Sequence, residues 1–549
     1  MKHFFLKNLQ IIFLVIIGIF LRIINLGWGA PYFFHPDERN IASSITQLSF
    51  PHQMNPHFFA YGSLPIYTSY FLGIFFLNFS TKQVPFDLAI LIMRFISAVL
   101  SISIIPSIFY IGSKLKNITT GIIAAVLATF STGFIQFAHF GTFEMWLTFL
   151  TLWFFYFCLQ LWKQQTKKNV FITAVFFGLL AATKASSLIL GIIPLCIIFL
   201  SIFRKHPKLK IIKYIFISYF FFSVISIIII FVTNPFTFFD FPDFLASMHY
   251  ESAVALGTLP VFYTNEFIHS VPVIFQFLYV YPFLINPVIT ILFLISFIFM
   301  TIIAIKERSS ILCLLLIFFL VTFLSQAFLF VKWTRYIVPT LPFVYLIVAL
   351  FFTYFISSIN KLFSKFSYGI LFFAISVSCI IALSYTITVY ASEDTRIYAA
   401  NLATESINQN ASILSEIYDL GIISFNPHFS NIKLFNFYDL SPVSLSELSS
   451  DLADTQYIVL PSQRILKIRV LKKNIYPMGN TFYSKLLNGS LGFKKIYETP
   501  CDMLCKLVYL NNPVFSFEET ATVFDRPEVY IFKKQRHFSS QQYKNLLMP

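Results

Sequence analysis

Charge is scarce in this sequence. Only 11% of its 549 residues are Asp, Glu, Lys or Arg, where an ordinary soluble domain carries about 25%, and that shortage excludes a water-soluble multidomain protein. Cysteine is rare as well, with six residues. Cys158, Cys196, Cys313 and Cys379 lie in apolar stretches as small core residues. Cys501 and Cys505, four apart in a more polar tail, either close a local disulfide in an oxidising compartment or remain free. A nucleotide-binding glycine loop and a Walker sequence are both missing, and there is no internal repeat or long low-complexity linker.

What is abundant is apolar. Hydrophobic residues make up 57% of the chain and Phe alone numbers 72. Runs such as 11–26, 211–232 and 291–305 approach or exceed the ~20 residues that carry a helix across a bilayer. The fold class is therefore an α-helical polytopic membrane protein. Its net charge of +15 could point to nucleic acid, but the basic residues are placed as topology signals.

Hydropathy predicts spans near 9–27, 88–112, 119–137, 141–162, 169–184, 186–203, 211–233, 272–304, 310–331, 337–358 and 367–391, about 11 crossings. With a cytoplasmic N-terminus, the basic clusters at 2–7, 114–116, 163–168, 204–213, 306–308 and 361–365 all fall inside, as the positive-inside rule requires. Of the nine acids before residue 390, only Glu307 then lies inside. The basic start followed by an apolar run reads as a retained first span, since no small-residue cleavage site follows. Outer loops are expected at 28–87 and 234–271. The apolar stretch 64–79 in the first of them reads as a helix on the membrane surface, because a twelfth crossing would reverse every later basic cluster.

Composition changes after residue 391: the last 158 residues hold 16 of the 39 Lys and Arg and 15 of the 24 Asp and Glu. Residues 1–391 are thus expected to form the transmembrane domain, and 392–549 a soluble extracytoplasmic α/β domain. In that tail β-like runs at 457–460 and 529–532 alternate with helical segments such as 397–407. The expected location is the cell (plasma or inner) membrane.

Three groups of residues could carry chemistry. Asp37 and Glu38 follow His35 and Pro36 just past the first span; they either favour a helix N-terminus or supply a partly desolvated general base. Glu144, near His139, sits at the outer end of a span, where an ionisable group marks a functional site or a water-facing helix start. Lys332, Arg335 and Tyr336 at another outer boundary, with Lys184 and Arg94, either anchor the aromatic belt or clamp a phosphate. Together they describe an acid beside a phosphate clamp. That combination suits attack of an acceptor hydroxyl on a sugar carried by a lipid phosphate. A lipid-linked sugar transporter or flippase would instead place its charges near the bilayer midplane with access to both sides. A noncatalytic membrane scaffold is the remaining alternative.

The ordered motifs Phe34-His-Pro-Asp-Glu38, Asn55-Pro-His-Phe-Phe-Ala-Tyr61, Leu64-Pro-Ile-Tyr67, Phe143-Glu144, Gly178 to Lys184, Asn234 to Asp243 and Arg335-Tyr-Ile-Val-Pro339 resemble GT-C fold glycosyltransferases. The likeness is to the family of protein O-mannosyltransferases and lipid A aminoarabinose transferases, over most of residues 1–360. The resemblance implies an inverting transferase using a polyprenyl-phosphate sugar donor and a hydroxyl acceptor on protein, lipid or glycan. It implies Asp37 as base, supported by Glu38 and Glu144. It implies donor phosphate held by Lys184, Arg335 and Tyr336, with Lys332 and Arg94 beside them. His35, Tyr61, Tyr67 and His139 fall to the acceptor or the pocket wall. No metal or other cofactor is implied, in contrast to the GT-C oligosaccharyltransferases. Aminoarabinose transferases carry an acid and a lysine before the proline that Pro65 matches; Ser63 and Leu64 stand here, so that sugar is not implied.

Overall fold

A computed structural model describes residues 2–205, 208–358, 361–418, 420–437, 442–512, 514 and 516–548. The chain forms two compact units. The first comprises residues 1–26, 37–259 and 269–386, and the second comprises 27–36, 260–268 and 387–549.

The first unit is helical: α1 (Lys2–Ile23), α2 (Pro36–Thr46), α3 (Ser63–Phe76), α4 (Phe86–Leu115), α5 (Ile118–Thr129), α6 (Thr132–Ala138), α7 (Glu144–Lys163), α8 (Lys167–Thr183), α9 (Ile192–Lys205), α10 (Lys208–Thr233), α11 (Phe236–Phe239), α12 (Phe241–Leu256), α13 (Tyr281–Leu284), α14 (Pro287–Lys306), α15 (Ser310–Ala327), α16 (Thr334–Ile337), α17 (Leu341–Ser358) and α18 (Lys361–Tyr385). Among the described residues seven helical stretches are long and apolar enough to cross a bilayer, or eight if α5 and α6, bent by 56° at their break, count as one span. Residues 9–23, 63–76 and 185–200 form shorter apolar helices. The protein is an integral membrane protein of helical bundle type. The apolar stretch expected to be helical over 64–79 forms α3.

The stretch 272–304 does not form the single helix that its hydropathy predicts. Asn286 takes φ +66°, Pro287 opens α14, and the Asn286 side chain caps the new helix by accepting from Ile289 N at 3.0 Å. A positive φ lies outside the helical region and Pro cannot continue a helix; mean hydropathy over a long window averages out both signals.

Apolar side chains gain little by leaving lipid for each other, so helices in a bilayer associate through close packing of small residues. A Cβ on Gly112 of α4 would lie 3.0 Å from Gly121 Cα on α5, so these two backbones meet directly. Asn117 starts α5 between them, accepting from Thr120 N. The far end of α5 breaks before α6, leaving carbonyls without helical partners. Arg22 of α1, fully buried, fills that gap: its guanidinium donates to Ala128 O at 2.8 Å, Thr129 O at 3.1 Å and Ser101 Oγ at 2.8 Å.

The second unit contains a five-stranded sheet of β1 (Ile413–Glu416), β2 (Ile432–Phe435), β3 (Tyr457–Leu460), β4 (Phe493–Glu498) and β5 (Tyr530–Lys534) in the order β2-β1-β3-β5-β4. The pairs β1·β2 and β1·β3 are parallel, and β3·β5 and β4·β5 antiparallel. The unit also contains helices α19 (Thr395–Ser406), α20 (Pro442–Asp454), α21 (Gln463–Leu471), α22 (Pro477–Leu487), α23 (Met503–Leu507) and α24 (Ser540–Leu547). Strand residues alternate between two cores. Leu414, Ile458, Leu460 and Phe532 pack on one face with Phe482 and Leu452, and Ile413, Tyr457, Val459 and Ile531 pack on the other with Ala399 and Phe425. The unbroken apolar run Tyr457–Leu460 has this meaning: a strand buried on both sides has no polar face to alternate with. Cys501 and Cys505 are joined by a disulfide.

Candidate active site

The side chains that matter sit where helices of the first unit end. Glu144 is the first residue of α7, Lys184 follows the last residue of α8, and Arg335 lies in the turn of helix α16 that leads into α17. Because successive helices run in opposite directions, these termini share one end of the bundle. The basic residues Lys114, Lys163 and Lys306 lie at the other ends of α4, α7 and α14.

A junction of backbone and amide groups brings Tyr61 to Lys184. Gly62 N donates to Thr183 O at 3.0 Å, and a Cβ at Gly62 would collide with the Ala182 carbonyl, so only glycine permits this approach. Asn234, at the end of α10, completes the joint: its Oδ1 accepts from Ser63 N and Leu64 N at 2.9 and 3.0 Å, and its Nδ2 donates to Ala182 O at 3.0 Å.

Beside this junction lies a cavity of about 490 Å³, walled in part by Tyr61, Lys184, Glu251, Arg335 and Tyr336. That is within the ~300–1,000 Å³ of small-molecule sites. A smaller recess adjoining Lys184, Arg335 and Tyr336 is lined by Glu144. Asp37 stands at the edge, paired with Arg335 Nη1 through its Oδ2 and about one quarter exposed, at 27%. Tyr61 Oη donates to the same carboxylate oxygen at 3.5 Å and accepts from Arg335 at 3.3 Å. Burial holds the Tyr61 phenol well above its usual pKa, against the opposing pull of Arg335, so it stays a proton donor.

Lys184 is differently placed. Its ammonium lies 4.2 Å from the centre of the Tyr336 ring and 5.4 Å from that of Tyr61, and among the described residues it has no hydrogen bond or ion pair. A cation held on aromatic faces with its donors free is receptive to an anion. Glu144 is buried, and its Oε2 finds no hydrogen-bond partner. Arg335 Nε is likewise unpartnered, while its guanidinium stacks 4.4 Å over Trp333. Orphaned polar atoms of this kind identify places where a bound group would complete the bonding.

Other residues named from the sequence lie elsewhere. Glu38 is fully buried in a two-pronged ion pair with Arg94, at 3.0 Å from Nε to Oε1 and 2.7 Å from Nη2 to Oε2. Gly141 N also donates to Glu38 at 2.5 Å, and Arg94 Nη1 to Leu26 O at 2.8 Å. Arg94 is therefore committed to holding α2 against α4 and against the turn that starts α7, and has no exposed surface for a donor phosphate. Lys332 is buried too, its ammonium spent on Leu329 O at 3.1 Å and Phe330 O at 2.9 Å. His139 lies buried between Ile135 O and Ile24 O at 2.8 and 2.9 Å. Tyr67 donates to Met54 O at 2.9 Å. His35 belongs to the second unit, stacked 4.3 Å from Phe524.

Glu251 reaches the cavity without having been singled out in the sequence. The signal was the spacing within α12: Phe244, Met248, Glu251, Ser252 and Ala255 recur at helical intervals and all line the cavity. Burial raises the pKa of Glu251 above the ordinary carboxylate range, partly offset by Arg335 and Lys184. Asp37 pairs with Arg335, and Asp37, Glu144 and Glu251 do not form a metal-ligand set among the described residues.

Comparison with protein-family models and with curated proteins finds no match for this sequence. Solved structures do match. The oligosaccharyltransferase AglB of Archaeoglobus fulgidus, crystallised with a tethered acceptor peptide, aligns with a TM-score of 0.52 at 13% identity over 96% of this chain and 88% of its own. ArnT from Cupriavidus metallidurans aligns with a TM-score of 0.47 at 11% identity, over 84% and 93%. The protein O-mannosyltransferase Pmt1-Pmt2 complex of S. cerevisiae aligns with a TM-score of 0.32 at 14% identity, over 43% and 34%. The fold is of GT-C type.

Proposed function

We propose that the protein is an inverting glycosyltransferase that moves a sugar from a polyprenyl-phosphate donor to a hydroxyl acceptor on the extracytoplasmic side of the membrane. The observation that carries this reading is the convergence of Lys184, Arg335 and Tyr336 from distant parts of the chain on one cavity at one end of an apolar bundle, with Asp37 paired to Arg335. The GT-C fold supports it, since the archaeal neighbour has been solved in complex with an inhibitory peptide and a dolichol-phosphate. The basic residues at the opposite helix ends support the orientation.

In this reading Lys184 and Arg335 hold the donor phosphate. The acceptor oxygen attacks the anomeric carbon from the side opposite the phosphate and forms the new C–O bond. Its proton passes to Asp37. The old C–O bond breaks with its electron pair going to the phosphate oxygen, where the two cations stabilise the charge that develops. Asp37 begins engaged by Arg335, so the donor phosphate, by drawing that guanidinium to itself, frees the base as it binds. A phosphate-linked leaving group needs no nucleotide site, in keeping with the absence of a nucleotide-binding loop.

The test is transfer by the purified chain from polyprenyl-phosphate hexoses to a panel of protein, lipid and glycan acceptors, with identification of any lipid-linked sugar that co-purifies. Product with an inverted anomeric configuration is expected. Donor that binds but crosses a bilayer unchanged would replace transfer by transport.

A further inference from the structure

Away from the charged side chains of the cavity, three potential metal ligands from two chain segments approach one another: His57, Asp240 and Asp243, whose ligand atoms all lie within 4.8 Å. We propose that they bind a divalent transition-metal cation, zinc foremost, which fastens together the two segments that wall the cavity. His57 stands two residues before Phe59, and Asp243 directly before Phe244; both phenylalanines line the cavity.

His57 Nδ1 is 3.9 Å from Asp240 Oδ2. Ligands bound to zinc at about 2.0–2.1 Å in a tetrahedron stand about 3.4 Å apart, so the trio closes on an ion by small side-chain rotations. The chemistry of the set favours such an ion: two carboxylates and a neutral imidazole give a charge of −2, and imidazole selects zinc over magnesium or calcium. Among the described residues no Lys or Arg pairs with either Asp240 or Asp243, so nothing else there offsets the two like charges.

Asp243 alone would be explained by its place in the first turn of α12, where acids suit the helix macrodipole. The other two are not explained that way. Asp240 occupies the N-cap position of α12, yet its side chain caps nothing. It turns instead to the other segment, where Asn55 Nδ2 donates to its Oδ2 at 2.7 Å. Asn55 Oδ1 in turn accepts at 3.1 Å from the backbone N of His57, itself held at φ +45°. Asn55 is thus a positioning residue that orients a ligand through a hydrogen bond, as outer-shell groups of metal sites do.

The experiment uses the full chain, purified without a histidine tag, stripped with chelator and then equilibrated with zinc chloride. Metal content is read by mass spectrometry and thermal unfolding is followed with and without zinc. The wild type is expected to retain about one zinc per chain and to unfold at a higher temperature with it. His57→Ala and Asp240→Asn should lose both effects, His57→Cys should keep the metal, and Asn55→Ala should bind about 10- to 100-fold more weakly. Variants are compared only as monodisperse preparations. Equal zinc content in wild type and His57→Ala, no uptake by the wild type, or uptake of calcium or magnesium in preference to zinc would each overturn the proposal. None of these readouts depends on sugar transfer, so the metal site and the proposed reaction stand or fall separately.

Discussion

Asp37 and Arg335 are 298 residues apart in sequence and form an ion pair at the edge of the cavity, with 27% and 21% of their side chains exposed. The pair is accessible enough to be exchanged for a ligand. Asp37→Asn is expected to lower kcat by at least about 100-fold, the scale of a lost general base, while leaving the donor Kd unchanged or tighter because Arg335 is released. Arg335→Ala should instead raise the donor Kd by about 10- to 100-fold, the worth of a charged hydrogen bond. Turnover and binding titrations separate the two, and full activity in the Asn variant would remove Asp37 from the mechanism.

Arg94→Ala should behave differently. It would leave Glu38 uncompensated in a fully buried site, which costs about 3–5 kcal/mol. The expected result is a large drop in thermal stability and in folded yield, with Arg94→Lys recovering only part because it cannot form both prongs. If Arg94→Ala folds normally and changes only the donor Kd, the residue serves the phosphate after all.

Glu251 should give donor binding a pH dependence. Its folded-state pKa is raised by burial, so the side chain is neutral below that value and adds a negative charge to the cavity above it. Binding of a phosphodiester donor analogue, whose own charge is constant, should therefore weaken as pH rises through that raised pKa. Glu251→Gln, fixed in the neutral form, should flatten the profile. By linkage the folded state holds this proton longer than the unfolded chain, so the stability contribution of Glu251 is full below the ordinary carboxylate pKa and is lost as pH rises through the raised one. An unchanged profile in the Gln variant would assign the pH dependence elsewhere.

The orientation can be read by labelling. With the free cysteines replaced, a cysteine at Glu307, exposed in the turn after α14, should react with an impermeant maleimide only after permeabilisation. One at Ser490, exposed in the second unit, should react in intact cells. The reverse pattern would place the cavity on the cytoplasmic side.

The bundle was legible because bilayer crossing depends on local composition, and the sheet because apolar runs such as Tyr457–Leu460 stand out in a polar tail. The break at Asn286 was hidden by the same averaging that reveals spans. At the site, ionisable residues near span ends were conspicuous, but adjacency could not divide their roles. Asp37 and Glu38 are neighbours in sequence, yet one pairs with the cavity residue Arg335 and the other is enclosed by Arg94. What separates them is a partner supplied from 56 residues away, and pairing at that distance has no local signature. Lys332 shows the same limit: its nearest needs are two carbonyls left by the end of α15, which only the folded turn exposes. Glu251 was readable in principle from the periodicity of α12, and was obscured because its helix has no full polar face.

The seal that Arg22 makes at the α5–α6 break sets an order on biogenesis. The carbonyls it occupies belong to residues 106 and 107 positions later, which at about 5–20 residues per second leave the ribosome some 5–20 s after it. During that interval the first helix carries an unsatisfied guanidinium and must linger at the translocon or hold its C-terminal end in the headgroup layer. Its final seating is therefore a post-insertion event, timed by the arrival of α5 rather than by its own.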